Sequence, residues 1–285
     1  VTPAAGGDPE APAGPPGAYD LLVCDLDGTL LDDSMALDPA LAEGFRRAAA
    51  SGLATSLATG RMPEAADTYR DQLGVTAPVI YYNGALVRGG DGGRDLVSLT
   101  LPRGVLHRAW TVFSQAPVHP IFYRDDRLFC IERTLPVRRY CDEEGLRVDV
   151  VDDPAQFLAL GGFVKSLLIG HPKDLRIVRE DLTPIVAEHG RLVSTRTDYL
   201  EILPVGASKG AALARLSEHL GVPLARTVAV GDQENDIEML RAAGLGIAMP
   251  HAPDAVRRAA RRIAPTPVEG GLLGLLREVF PGRFD

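Results

Sequence analysis

Two carboxylates, Asp25 and Asp27, are separated only by Leu26 and followed at once by Gly28 and Thr29, at the end of an apolar run over residues 21–24. A short apolar run bounded by turn residues reads as a buried strand, so Asp25 stands where that strand leaves the core. Side chains alternate along an extended chain, which lets Asp25 and Asp27 point the same way. Like charges that close repel, and they become tolerable when a cation sits between them or when one carboxyl stays protonated. The same residues also read as a tight turn, because Asp-Gly between apolar residues is a hairpin signal. The stretch alone leaves both readings open.

Two more strands end in similar chemistry. Residues 53–58 read as a strand closed by Thr59-Gly60-Arg61, and residues 227–230 as one closed by Gly231-Asp232. Around them lie helix signals. Asp38-Pro39 caps a helix carrying Leu41, Phe45 and Ala49 and ended by Gly52. Pro63 opens a second helix that Gly74 ends, and residues 79–82 form a strand closed by Asn83-Gly84. Ser208 caps a helix marked by Leu213, Leu216 and Leu220, and residues 235–243, 245–249, 255–260 and 272–280 continue as helix, strand, helix and helix. Strands alternating with helices predict a doubly wound parallel sheet. Ligands bind outside the carboxyl ends of such strands, so Asp25, Asp27, Thr59, Gly60 and Asp232 face one crevice. Lys209, in a first helical turn, opposes the helix dipole and needs another reason to be there. Only three of the 30 basic residues are lysine, namely Lys165, Lys173 and Lys209, so lysine's compact ammonium is kept sparingly. Three carboxylates, a hydroxyl and a lysine suit a phosphate and a hard cation such as Mg²⁺, which takes oxygen ligands.

Taken singly, each piece is ordinary. Thr59 alone is a capping hydroxyl, and residues 231–236 alone are a polar loop with a helix cap. Asp32-Asp33, Asp125-Asp126 and Asp152-Asp153 read as solvated loop residues. Gly206-Ala207-Ser208-Lys209-Gly210 matches the Gly-x-Ser-x-Gly nucleophile elbow, with Asp232 and His251 following in the order of a triad. No His-Gly-Gly oxyanion segment precedes it, however, and that reading leaves Asp25 and Asp27 idle.

Between residues 85 and 203 the rhythm changes. Residues 85–87 and 96–101 read as a hairpin around a glycine-rich loop at 89–93, followed by a helix over 103–115. A second hairpin pairs 121–122 with 128–131 through Asp125-Asp126, and a strand at 163–169, a helix at 175–188 and strand material at 191–202 complete the segment. This is an α+β unit with an antiparallel sheet. The expected fold is therefore α/β: a doubly wound parallel (Rossmann-like) core over 19–84 and 204–285, an inserted α+β domain over 85–203, and a disordered tail over 1–18. The Pro-, Gly- and Ala-rich start carries no secretory signal.

The chain of 285 residues has 46% hydrophobic and 24% charged residues, a net charge of -8 and a pI near 5.3. That balance argues against nucleic-acid or anionic-membrane partners, and no apolar run is long enough to span a bilayer. Cys24, Cys130 and Cys141 form no Cys-x-x-Cys pair, which suits a reducing, cytoplasmic compartment.

Asp25-Leu26-Asp27-Gly28-Thr29, Thr59-Gly60-Arg61, Ser208-Lys209-Gly210 and Gly231-Asp232-x-x-Asn235-Asp236 resemble the four motifs of the haloacid dehalogenase (HAD) superfamily. The insertion resembles the C2 cap of its Cof-type sugar-phosphatase branch. The resemblance implies a phosphatase in which Asp25 is the nucleophile that becomes an aspartyl-phosphate, while Asp27 protonates the leaving oxygen and then activates water. It implies Mg²⁺ on Asp25, on the backbone carbonyl of Asp27 and on Asp232. The phosphoryl oxygens would be held by Thr59, the Gly60 and Leu26 amides, Lys209 and Asn235, with Asp236 in support. The implied partner is a small phosphorylated metabolite, and Arg124, Lys165 and Arg196 are specificity candidates by charge alone. A phosphomutase of the same fold and a non-catalytic phosphometabolite sensor are the rival readings. The sequence departs from the branch after Ala248-Met249, where Pro250-His251 stands in place of the usual Gly-Asn.

Overall fold

The computed structural model describes residues 18–32, 34–89 and 95–285. Residues 1–17 of the expected tail, Asp33, and residues 90–94 of the expected glycine-rich loop lie outside the described residues.

The first part of the chain runs β1 (Leu21–Cys24), α1 (Pro39–Ala50), β2 (Ala54–Leu57), α2 (Pro63–Leu73) and β3 (Val79–Tyr81). It continues through β4 (Leu86–Arg88), β5 (Val97–Ser98), α3 (Val105–Phe113), β6 (Val118–Arg124) and β7 (Arg127–Cys130). Then come α4 (Leu135–Glu144), β8 (Val148–Val150), α5 (Pro154–Ala159), β9 (Phe163–Gly170) and α6 (Pro172–Val186). Next are β10 (Gly190–Arg196), β11 (Tyr199–Pro204), α7 (Lys209–Leu220), β12 (Thr227–Gly231) and α8 (Ile237–Ala242). The chain ends with β13 (Leu245–Ala248), α9 (Asp254–Ala259), β14 (Arg262–Ile263) and α10 (Gly271–Val279).

Five strands form a parallel sheet in the order β14-β13-β12-β1-β2. β1 lies inside it, and all four of its side chains are fully buried. Each Leu or Val removed from water there contributes roughly 1.5–3 kcal/mol, which ties the base of Asp25 to the most buried part of the molecule. The parallel pairing of β1 with both neighbours removes the hairpin reading of Asp27-Gly28. The chain leaves β1 toward β2 on one side, while β12 lies on the other, so the strand order reverses at β1 and opens a crevice at its carboxyl end.

A second sheet has six strands in the order β10-β11-β9-β6-β7-β8. It is antiparallel as expected except at one edge, where β8 pairs parallel with β7. The reason is α4: a helical crossover between β7 and β8 returns the chain in the same direction. One face of this sheet packs against α3 and α6 through Phe122, Leu168, Leu200 and Ile202 with Leu106, Phe113, Val178 and Leu182. Because side chains alternate, Lys165 and Leu167 of β9 and Tyr199 and Glu201 of β11 turn the opposite way, toward the parallel sheet.

The expected hairpin near residue 85 is β4–β5, and it pairs with β3 rather than with the six-stranded sheet. The chain then crosses between the sheets near Leu99 and returns near Gly206. The two crossings lie side by side. A Cβ on Gly206 would sit 3.9 Å from Leu99, and one on Gly84 would fall 2.2 Å from the Ser208 carbonyl oxygen. Gly84 has a φ of +96°, open to glycine and strained for other residues.

Three of the aspartates read as solvated loop residues also accept hydrogen bonds, exposed Asp32 doing so from the Ser34 amide and hydroxyl and the Ala36 amide. Asp126 accepts from Arg88 at 2.7 Å and from the Tyr82 hydroxyl at 3.3 Å, because its hairpin turn reaches back over β4. Asp153 caps α5, accepting from the Gln156 amide at 3.0 Å. Among the described residues, no helix is long and apolar enough to cross a membrane.

Candidate active site

The expected residues lie at the carboxyl ends of β1, β2 and β12 and in the first turn of α7; Asp25, Asp27, Gly60 and Asn235 line one cavity, whereas Leu26, Thr59, Lys209, Asp232 and Asp236 are not among its lining residues. Asp25 follows β1 directly and is 4% exposed. Lys209, 1% exposed, donates from Nζ to Asp25 Oδ1 at 2.7 Å and to Asp236 Oδ1 at 2.6 Å. Those two acceptors are the reason a lysine stands at the start of α7 against the helix dipole. Ser208 beside it is the N-cap, its hydroxyl accepting from the Ala211 amide at 3.0 Å, so the nucleophile-elbow reading finds its serine in a structural role.

Asp232 is buried and accepts from the Thr29 hydroxyl at 3.0 Å and from the Gln233 side chain at 3.0 Å. Asp236 takes the Asp232 and Gln233 amides on its second oxygen, both at 3.0 Å. Its oxygens are thus committed to Lys209 and to the loop. Two glycines make the closeness possible. A Cβ on Gly28 would lie 2.5 Å from an Asp232 oxygen, and one on Gly231 would lie 2.5 Å from the Asp236 carboxyl carbon.

Burial pushes the Asp25 carboxyl well above its ordinary range; Lys209 works against this, and Asp236, Asp232 and Asp27 add to it. Asp232 is raised by burial and by Asp236, with the Thr29 and Gln233 hydrogen bonds opposing. Burial works against the charged form of Lys209, but Asp236 and Asp25 overcome it and hold the ammonium charged.

Oxygens of Asp25, Asp232 and Asp236 lie within 4.8 Å of one another. With every group ionised, these three carboxylates and the one ammonium of Lys209 leave two negative charges uncompensated. A hard divalent cation fits that imbalance and that all-oxygen donor set. Lys209 takes only Oδ1 of Asp25, and each Asp232 oxygen accepts one hydrogen bond and keeps a lone pair for the cation, whereas Asp236 already accepts from three donors. His251, from the loop that departs from the branch pattern, sits with Nε2 at 3.6 Å from Asp232 Oδ2.

Asp27 behaves differently from Asp25. The strand has ended at Cys24, so strict alternation no longer governs it, and its side chain is 47% exposed. Arg61 grips it from Nε and Nη2 at 2.9 and 2.7 Å and reaches Glu144 of α4 through Nη1 at 2.9 Å. One guanidinium therefore joins β1's loop to the six-stranded unit. Sequence reasoning quoted Arg61 in its motif without giving it a task; its place two residues after Thr59 was the available signal.

Thr59 is fully buried, and its hydroxyl oxygen accepts from the Arg61 amide at 3.1 Å. The carbonyl of Gly60 accepts from Lys165 at 2.9 Å. Asn235 donates to Asn83 Oδ1 at 2.9 Å, and Asn83 donates to Glu201 at 2.9 Å. Asn83 and Glu201 were not singled out from the sequence. The former was read only as the turn closing β3, and the latter lies in a strand of otherwise apolar residues.

Asp25, Asp27, Gly60 and Asn235 line a cavity of about 600 Å³. Its opposite wall comes from the six-stranded unit: Tyr140, Glu143, Glu144, Lys165, Arg196 and Tyr199. Of the three basic candidates, Lys165 and Arg196 reach this wall. Arg124, at the β6–β7 turn, is not among its lining residues.

Residues 22–276 match the family model of haloacid dehalogenase-like hydrolases. The chain is 31% identical over 273 residues to the 5-amino-6-(5-phospho-D-ribitylamino)uracil phosphatase YitU of Bacillus subtilis (strain 168), covering 91% of this chain and 97% of that protein. It is 30% identical over 240 residues to the HMP-PP phosphatase of Escherichia coli O6:H1, covering 83% and 86%. A haloacid dehalogenase-like hydrolase from Bacteroides thetaiotaomicron shares the fold with a TM-score of 0.84 at 24% identity, over 92% of this chain and 100% of that one. The superfamily suggested by the four motifs and the Cof-type branch suggested by the insertion agree with these matches. The chain belongs to the haloacid dehalogenase-like hydrolases.

Proposed function

We propose that the protein is a Mg²⁺-dependent phosphatase that hydrolyses a small phosphorylated metabolite through an aspartyl-phosphate on Asp25. The observation that carries this reading is Asp25 itself: a buried carboxylate with one oxygen on Lys209, opening onto a cavity that Asp27 also lines. Asp25 Oδ2 attacks phosphorus, and the bond from phosphorus to the leaving oxygen breaks. Asp27 gives that oxygen its proton, then takes one from the water that hydrolyses the acyl phosphate. Arg61 fixes the direction of the Asp27 carboxylate for both transfers. Thr59, Lys209, Asn235 and the Leu26 and Gly60 amides hold the phosphoryl oxygens as their charge redistributes. Asp236 keeps Lys209 in place. Asp25, the Asp27 carbonyl and Asp232 would hold Mg²⁺, which would supply the positive charge that lets anionic nucleophile and anionic phosphate approach.

A cavity of about 600 Å³ suits a small metabolite, and both relatives are named as phosphatases, one of them for a phosphorylated ribitylaminouracil. The six-stranded unit between the crossings near Leu99 and Gly206, which is the expected 85–203 insertion without β4–β5, serves as the cap that closes over the substrate and supplies the recognising wall. The test is a phosphate-release screen over sugar phosphates, nucleotides and cofactor phosphates with and without Mg²⁺. Release from at least one class, abolished by chelation, is the expected result; isomerised product without free phosphate would point to a mutase instead.

A further inference from the structure

Lys165 and Glu201 form an ion pair at 2.9 Å whose side chains are only 2% and 5% exposed. Lys165 Nζ also lies 4.6 Å from the centre of the Tyr123 ring and 5.9 Å from that of Tyr82. Burying two charges to pair them gains little stability over a well-packed apolar pair, so the pair calls for another explanation. Its remaining bonds give one. Among the described residues, both leave the six-stranded sheet, one for the loop after β2 and the other for the loop after β3.

We infer that Lys165 and Glu201 are positioning residues: from the cap sheet, they fix the donor directions of the phosphate-holding groups Thr59 and Asn235. This rests on the phosphatase reading above. On one branch, Lys165 donates to the Gly60 carbonyl. That carbonyl belongs to the same peptide plane as the Arg61 N–H, which donates to the Thr59 oxygen. With the oxygen already accepting, the Thr59 hydroxyl hydrogen is left to be offered to a ligand.

On the other branch, Glu201 sets a polarity. A carboxylate only accepts, so Asn83 must turn its NH₂ toward Glu201 and its carbonyl toward Asn235. Asn235 must then donate one N–H to Asn83, and its second N–H remains free for a phosphoryl oxygen. Among the described residues, Asn235 Oδ1 is buried without a partner. The amide is therefore held through its nitrogen alone, and the orientation depends on the charge two residues away in the relay. Asn83 is itself pinned, with φ of 55° and ψ of 31°, and a Cβ on Gly60 would approach its Nδ2 to 3.2 Å.

The experiment uses the full chain with Mg²⁺ and two variants: Glu201→Gln, which keeps size and one acceptor oxygen, and the double replacement Lys165→Met with Glu201→Met. The readouts are kcat and KM for p-nitrophenyl phosphate, inhibition by inorganic phosphate, and Tm. Glu201→Gln makes the relay ambiguous, and kcat and phosphate affinity are each expected to fall about tenfold or more at little change in Tm. The double variant is expected to melt like the parent and still to show both losses. A folded double variant with the parent's kcat and phosphate inhibition would overturn the inference and reduce the pair to packing. If the double variant fails to fold, Glu201→Gln decides alone. A parent protein that neither releases phosphate nor binds it would instead overturn the phosphatase reading, and the inference with it.

Discussion

The two walls of the cavity are built on opposite plans. On the parallel-sheet side, Asp25 and, behind it, Lys209, Asp232 and Asp236 are buried, and each is bonded to another member of the set or to its loop. On the facing side, Glu143 and Arg196 are 57% and 55% exposed and meet loosely at 3.6 Å, with the Arg196 guanidinium lying 4.5 Å from the centre of the Tyr199 ring. Dipoles and charges aimed in advance stabilise developing charge without reorganising at the moment of reaction, and that demands burial and complete hydrogen bonding. Recognition of a leaving group asks only for shape and a few contacts, so the second wall keeps its freedom. The difference assigns rate to one side and selectivity to the exposed part of the other, where the buried Lys165–Glu201 pair is the exception that serves the first side.

The largest effect expected from this division is at Asp25. Asp25→Asn should lower phosphate release by about 10⁴-fold or more while leaving circular dichroism and Tm nearly unchanged; appreciable turnover would remove the nucleophile from the account. Asp236→Asn is next. It weakens the grip on Lys209 without touching the substrate, and kcat should fall by about 10–100-fold. Measuring kcat separately from KM tells this from a loss of binding. At the other wall, Arg196→Ala should shift KM by less than about tenfold and leave kcat near its starting value. A collapse in kcat there would break the division between the walls.

A pH experiment sharpens the same contrast through stability. Burial raises the Asp25 and Asp232 carboxyls above their ordinary range. Without a cation, the folded protein then holds more protons than the unfolded chain as pH climbs past that range, so stability falls with rising pH. A cation favours the ionised forms and opposes that loss. The gain in Tm on adding Mg²⁺ should therefore be larger at about pH 8 than at about pH 5, and equal gains would show that these carboxylates do not hold the ion.

The same two walls differ in how they can be read from the chain. Asp25, Thr59 and Asp232 each follow a short apolar run, so a local pattern announces both the strand and the chemistry at its end. The facing wall has no such pattern. Tyr140, Glu143 and Glu144 lie on α4, within a stretch from 132 to 162 where the sequence reading assigns no element. Signals were present there, in Pro136 near the helix start and Gly145 as its left-handed cap. They are weak beside the long polar face that α4 presents, and only the sheet beneath shows what Val137 and Tyr140 pack on. Glu201 was hidden for a different reason. A carboxylate inside an apolar strand gains meaning only from Lys165 and Asn83, which are distant in sequence.

The neighbouring crossings at Leu99 and Gly206, braced where Gly84 meets Ser208, bear on how the cavity is opened. A body joined to another through two adjacent strands of chain can swing about the line through them but resists sliding. The six-stranded sheet is thus hung like a door, with residues 84, 99 and 206–208 as its jamb. With the six-stranded unit as the proposed cap, such a swing would move the wall far from the jamb most and widen entry to Asp25. The Lys165–Glu201 pair sits only a few residues along β11 from the jamb, where a given swing displaces atoms least, and so the orientation it imposes on Asn83 can outlast each opening.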